Sequence, residues 1–270
     1  MKIRLSGRGD FGEWRDAARD LLRHGVAPGD VDWGAGSGCL DGLFDQAASP
    51  RTPRDRPLTV PPAFLDLAEA VICHSEPSRF ALAYRLLWRL QDERSLLGHA
   101  TDADVVRAQR LAHAVHRDSH KMTAFVRFCE VSAGGERRAF AAWFEPDHFI
   151  VARMAPFFQR RFADMDWAIL TPKGVASWDG QALQFSPEPA EKPAFGDDTE
   201  DLWRTYFANI FNPARLKVKM MEREMPRRYW KNLPEAELIP GLIHGAEARL
   251  RDMAMQAEAP PPNFHLRLKR

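Results

Sequence analysis

Apolar residues in this chain recur at two periods, and the changes between them mark out its parts. Trp14, Ala17, Ala18, Leu21 and Leu22 return every three or four positions, predicting a helix that "HGVAPGD" ends. Ile3 and Leu5 alternate ahead of it as a short strand, and "GAGSG" at 34–38 reads as a flexible turn. That turn lacks the GK[ST] ending of a phosphate loop. Helical spacing resumes after Pro61 and Pro62 with Phe64, Leu65, Ala68, Val71 and Ile72. "SEPSRFALAYRLLWRLQ" adds a helix opened by Ser75, Glu76 and Pro77, with Phe80, Tyr84, Leu87 and Trp88 on adjoining faces. Residues 101–118 form another, begun by a capping-box-like Thr101 and Asp104 and ending near His120.

The period then drops to two. "MTAFVRFCEV" (122–131) and "RRAFAAWFE" (137–145) alternate around a glycine turn, which predicts a β-hairpin. "EPDHFIVARMAPFFQRRF" returns to helix, with Asp147 as N-cap and Pro156 kinking or splitting it. "DWAILTP", "GVASWDG" and "ALQFSP" supply up to three further strands. The helices "EDLWRTYFANIF" and "PARLKVKMMEREM" follow, the second capped by Asn212 with Pro213 in its first position.

Helices, then strands, then helices argue an α+β fold, with a small antiparallel sheet covered by helices on one face. The expected divisions are a small N-terminal element (1–48), a linker (49–62), a main α+β domain (63–256) and a mobile tail (257–270). The linker reading rests on five prolines in "SPRTPRDRPLTVPP". Trp14, Leu21 and Leu22 still need a cover, and the main domain is the surface available to them.

Composition narrows the function. Of 270 residues 45% are apolar and 28% charged, an ordinary globular balance, and the net charge is +1. A polyanion would therefore have to be met by a local patch. Cys39, Cys73 and Cys129 form no CxxC pair, as expected of a reducing compartment. The N-terminus has no apolar core of signal-peptide length, and no run approaches the roughly 20 apolar residues of a membrane span. A cytoplasmic location is expected, with no membrane partner.

Four groups of residues carry candidate chemistry. His113, His116 and His120 share a helical face at spacings of three and four, which suits either a metal, completed by Asp118 or Cys129, or plain solvation; no metal is the reading adopted. Glu145, Asp147 and His148 sit where a strand gives way to a helix, a place suited to acid–base groups or simply to a cap. Arg127, read as mid-strand beside Phe125 and Cys129, needs a phosphate or a carboxylate such as Glu145 or Asp166.

The fourth group is the densest. Between Pro213 and Lys231 stand Arg215, Lys217, Lys219, Arg223, Arg227, Arg228 and Lys231 against Glu222 and Glu224, a local net of +5 (seven minus two). Tyr229 and Trp230 are interleaved with the last of these. Cations on phosphates with aromatics stacked on bases would make a nucleic-acid surface. Core anchors under a charged rim would make a structural one. Lys121, Arg160 and Arg161 are further candidate phosphate contacts, although Arg160 and Arg161 also suit a helix C-terminus.

The motifs "HKMTAFVRF", "WFEPDHFIV", "APFFQRRFADMDWAILTP" and "EDLWRTYFANIFNPARLKVKMMEREMPRRYWKNLPEAELIP", in that order, resemble the bacterial domain of unknown function 4130 family. The likeness runs from about Phe64 to Ile243, with "DFGEWRDAARDLLRHGVAPGDVDW" resembling its lead-in. The resemblance implies a role in DNA metabolism or repair beside a radical-SAM protein, and relatives are often fused to a uracil-DNA-glycosylase-like domain. No such half follows "LIPGLI" here, so base excision would come from a partner. The expectation is a DNA-binding accessory protein with no cofactor of its own. The alternatives are an enzyme using His120, Glu145, Asp147 and His148 on nucleic acid, and an adaptor for an acidic protein.

Overall fold

A computed structural model describes residues 1–35, 59–132, 137–193 and 218–245, and the chain divides into two units, Met1–Ala194 and Phe195–Arg270. In the first unit, strand β1 (Lys2–Leu5) pairs in parallel with β2 (Asp32–Ala35), Ile3 opposite Trp33. Parallel strands need a crossover, which helix α1 (Phe11–Arg23) supplies. Asp10 caps α1 by accepting from the Glu13 amide at 3.0 Å. Strand β2 was not foreseen. Its residues Gly34 and Ala35 open the segment read as a flexible turn, whose remainder lies outside the described residues, as do 36–58 of the link and linker.

Helices α2 (Pro62–Cys73), α3 (Arg79–Arg89) and α4 (Ala103–Phe125) pack on one another and receive α1. Pro62 opens α2 at a position where its missing N–H leaves no helical bond unmade. Phe64, Ala68, Val71 and Ile72 are buried, whereas Leu65, placed on the same stripe by spacing, is 40% exposed. The cover for Trp14 comes from α3: the indole is 1% exposed and donates to the Phe80 carbonyl at 3.3 Å. Likewise the Tyr84 hydroxyl donates to the Val26 carbonyl at 2.7 Å.

Helix α4 corrects two expectations. Its N-cap is Asp102, not Thr101; the Asp102 carboxylate accepts from the Asp104 and Val105 amides, both at 3.1 Å. Arg89 and Arg85 of α3 then hold Asp102 and Asp104 at 2.5 and 2.7 Å. The helix also runs on to Phe125. Val115, Asp118, Ser119 and Met122 continue its buried face at helical spacing, and this overrides the short alternation read as strand from 122.

The five-stranded sheet has the order β3 (Cys129–Ser132), β4 (Ala139–Trp143), β5 (Asp166–Thr171), β6 (Gly174–Trp178), β7 (Leu183–Ser186). Three of its pairs are antiparallel. The β4–β5 pair is parallel, so the α+β sheet is mixed, because helix α5 (Val151–Arg161) crosses over between them. That helix packs against β6 and β7. Phe158 of α5 meets Phe128 edge-on at 6.2 Å and Trp167 of β5 at 6.3 Å, which fixes the helix on the sheet. Pro156 lies inside α5 and is accommodated there.

In the second unit the described part runs α6 (Val218–Glu224), a 3-10 turn (Arg227–Asn232), a second (Pro234–Glu237) and α7 (Leu238–His244). Tyr229, Leu233, Ala236, Ile239 and Leu242 are its buried residues of apolar type. The expected helix 200–211 and the Asn212–Pro213 start lie outside the described residues. No described helix is long and apolar enough to cross a membrane.

Candidate functional site

Two loops of the first unit meet at His148. One joins α2 to α3 (74–78); the other joins β4 to α5 (144–150). His148 is 8% exposed. Its Nδ1 accepts from the Ser75 amide at 3.3 Å, and the Ser75 hydroxyl lies 3.1 Å from the same atom. An amide can only donate, so Nδ1 is the unprotonated nitrogen and the neutral ring carries its hydrogen on Nε2. His74 repeats the arrangement, its Nδ1 accepting from the Glu76 amide at 2.9 Å. The two rings lie 4.1 Å apart, tilted by 30°.

The surroundings tie this pair to α2, α3, α4 and the β1–α1 loop. The backbone N–H of His148 donates to the buried Asp118 carboxylate of α4 at 2.9 Å, and the Phe149 N–H donates to the Cys73 carbonyl at 2.8 Å. Gly9 closes in from the β1–α1 loop with φ +82°; a Cβ there would stand 2.5 Å from the Phe149 carbonyl, so only glycine fits. Arg79, 2% exposed, donates to the carbonyls of Ile72 (3.0 Å), Glu76 (3.0 Å) and Gly7 (2.6 Å). Its guanidinium stacks over Phe80 at 4.1 Å.

Burial sets the electrostatics. It is the main cause lowering the His74 pKa, with Arg79 and Arg110 lowering it further and Glu76 opposing. It brings Arg79 down to about 10 and pushes Cys73 up to about 12, which makes that thiol an inert core group. Glu76 is held low by hydrogen bonds from Ser78 and Arg107. A serine beside a histidine suggests nucleophilic chemistry, which needs an imidazole free to take the hydroxyl proton. Here the lone pair of Nδ1 is shared with an amide, and Asp118 receives the backbone N–H of His148. These contacts clip two loops together.

The acid–base candidates are only partly gathered. His148 and Glu145 share the β4–α5 loop, where Glu145 accepts from the Trp143 indole at 3.1 Å. Asp147 is exposed and does not cap α5, whose N-cap is Ile150, because the chain needs three more residues to bring His148 inward before the helix starts. His120 is exposed on α4, two residues and about 200° around the helix from the buried Asp118, so it faces away from His148. His113 and His116 are exposed as well. Among the described residues no group of three or more His, Cys, Asp or Glu is placed to hold a metal ion.

Arg127 is not mid-strand. It lies in the bend between α4 and β3, where its guanidinium donates to the Ala124 carbonyl at 2.7 Å and the Val126 carbonyl at 3.3 Å. Asp166, offered as its partner, pairs with Arg137 at 2.7 Å. Lys121 places its ammonium 5.8 Å from the Phe125 ring. Arg160 and Arg161 are exposed in the last turn of α5, near its unpaired carbonyls.

In the second unit Arg215 and Lys217 lie outside the described residues, and Lys219 is placed in α6 by its backbone alone. Arg223 is exposed in the last turn of α6, and Arg227, Arg228 and Lys231 stand on the 3-10 turn. Side chains three apart eclipse in such a turn, so Arg228 and Lys231 share one side, and both are exposed. Arg227 and Trp230 eclipse in turn, the guanidinium 5.6 Å from the indole ring. Arg227 also pairs with Glu222 at 2.6 Å while its side chain stays 75% exposed. Tyr229 is 2% exposed, so of the two aromatics it is the anchor and is closed to a base. Its hydroxyl accepts from Arg228 at 2.7 Å. Trp230 is half-buried and donates to the Met225 carbonyl at 3.0 Å.

His74, Ser75, Arg79 and Asp118 were missed as members of one cluster. The available signal was Arg79 itself, a charge seven residues after Ile72 and four before Ala83, in line with a buried stripe.

A family model described as a domain of unknown function, DUF4130, matches residues 77–235, more than half of the chain. Neither the curated proteins nor the solved structures include a match. The matched span holds α3, α4, the whole five-stranded sheet and the 3-10 turn at Arg227, along with His148 and Asp118.

Proposed function

We propose a function from the premise that this chain belongs to the DUF4130 family. It is a DNA-binding accessory protein of DNA repair or modification, and it brings a radical-SAM or uracil-DNA-glycosylase-like partner to its substrate. One observation carries this reading: Arg228 and Lys231 are exposed on the same side of a short 3-10 turn whose backbone is pinned from beneath by buried Tyr229.

Cations held on a fixed turn lose less freedom on meeting phosphates than cations on a loose segment, and each phosphate they neutralise releases a counterion. Arg227 adds a third charge, and Trp230 offers a partly open indole face for a base. Titration of a labelled oligonucleotide with the full chain tests the reading. Binding that weakens steeply with salt supports it. No binding at low salt, or a salt-independent affinity, contradicts it.

A further inference from the structure

The outer face of α4 touches the His148 cluster only through the charge of Arg110 on His74, and its own chemistry is distinctive. Val106, Arg110, His113, Arg117 and His120 follow one another at steps of four, three, four and three, so they form one stripe along the helix. All five are exposed. From Val105 to Phe125 the helix contains a single acid, Asp118, and that residue is buried on the opposite side. The acids at the start of the helix, Asp102 and Asp104, are taken by Arg89 and Arg85. Neither Arg110 nor Arg117 meets a carboxylate among the described residues, in contrast to Arg85, Arg89, Arg107, Arg137, Arg138 and Arg153, which do.

We infer that this stripe is a second binding face for a nucleic-acid backbone, an inference that rests on the nucleic-acid reading above for its class of ligand. The spacing suits that ligand. Arg110 and Arg117 are separated by about 10 Å along the helix, and the stripe from Arg110 to His120 is about 15 Å long. One strand carries a phosphate per roughly 3.4 Å of duplex axis, so about four phosphates pass along such a length. Arginine offers a planar fork of donors to phosphate oxygens, and a neutral imidazole still offers one N–H between the two forks. With no exposed acid in the stripe, nothing in it repels the polyanion.

The test uses the full chain and a fluorescein-labelled 20-nucleotide DNA, single-stranded and as duplex, with anisotropy read across a salt series. The variant is Arg110→Gln/Arg117→Gln. A control of equal charge change on exposed arginines elsewhere is Arg23→Gln/Arg94→Gln. Loss of two phosphate contacts should weaken binding about tenfold near 100 mM salt and flatten the salt slope by nearly two units, while the control moves affinity less than about twofold. Circular dichroism melts of both variants should match the wild type, since glutamine is a good helix former on an exposed face. A double variant that binds like the wild type overturns the α4 assignment. If Arg227→Ala/Arg228→Ala/Lys231→Ala loses binding in the same series, the parent reading stands without it. Absence of any DNA binding by the wild type removes both. Capture of a labelled poly-glutamate peptide that depends on Arg110 and Arg117, without DNA binding, reassigns the stripe to an acidic protein and also overturns the proposal.

Discussion

His74 and His148 stack with ring centroids 4.1 Å apart, and each accepts a backbone N–H at Nδ1, from Glu76 and Ser75 respectively. Protonating either ring at Nδ1 expels an amide from its acceptor and puts a cation beside a neighbouring imidazole. Arg79 and Arg110 also oppose a charge on His74, while Glu76 favours it and Asp118 lies at the backbone of His148.

The consequence is an acid-sensitive fold. The pKa of His74 is lowered in the folded chain, chiefly by burial, so the unfolded chain binds a proton first as pH falls. The stabilisation is full above about 6.5 and is lost as pH drops from there through the lowered folded value. His116, an exposed residue whose ring is lowered by partial desolvation and then by Arg153, acts in the same window. Thermal melts should be level from pH 8 to 7 and fall between 6.5 and 5. His74→Phe keeps the stack and should make that fall shallower, leaving the His116 part. An unchanged slope would mean the His74 ring does not couple to folding.

Arg79 is a buried cation that donates to three carbonyls, of Ile72, Glu76 and Gly7. Arg79→Met fills similar volume and leaves all three without this donor, so it should destabilise the chain by roughly 3 kcal/mol or more in urea unfolding. Gly9→Ala should also destabilise, through the Phe149 carbonyl and the positive φ. Melting temperatures within about a degree of the wild type would show that the β1–α1 loop is not held as described.

Long periodic helices and short bounded strands were legible because their apolar spacing is a direct record of one buried face: α1, α3 and the β5–β7 strands lie where the spacing put them, and α5 is there but capped at Ile150 rather than Asp147. What was not legible depended on contacts distant in sequence. Residues 122–125 alternate like a strand, yet Met122 continues the α4 stripe set by Val115 and Ser119. His148 looks like a solvated residue near a helix start until Ser75, 73 positions away, supplies its donor. Strand β2, four residues long and running into the glycine-rich stretch after it, does not declare itself without β1 beside it. The basic turn was visible as composition, but only the backbone tells which aromatic is the anchor.

Tyr229 and Trp230 should therefore separate by experiment. Tyr229→Ala removes a buried ring and should destabilise the chain by roughly 3–5 kcal/mol, whereas Tyr229→Phe loses the bond to Arg228 and should change stability by about 1 kcal/mol. Trp230→Ala should melt closer to the wild type than Tyr229→Ala, and should lower single-strand DNA affinity by roughly 1–3 kcal/mol. Equal melting temperatures for the two alanine variants would contradict the anchor assignment.

The DNA-binding proposal stands or falls on whether the 3-10 turn holds a DNA backbone. Its most direct test is the salt dependence of DNA affinity for the full chain against Arg227→Ala/Arg228→Ala/Lys231→Ala, with melts to confirm that both fold. The triple variant should bind all DNA sequences more weakly alike, with a log–log salt slope flattened by two to three units, roughly 0.9 per phosphate contact on duplex. A folded triple variant with the wild-type affinity and slope would contradict it.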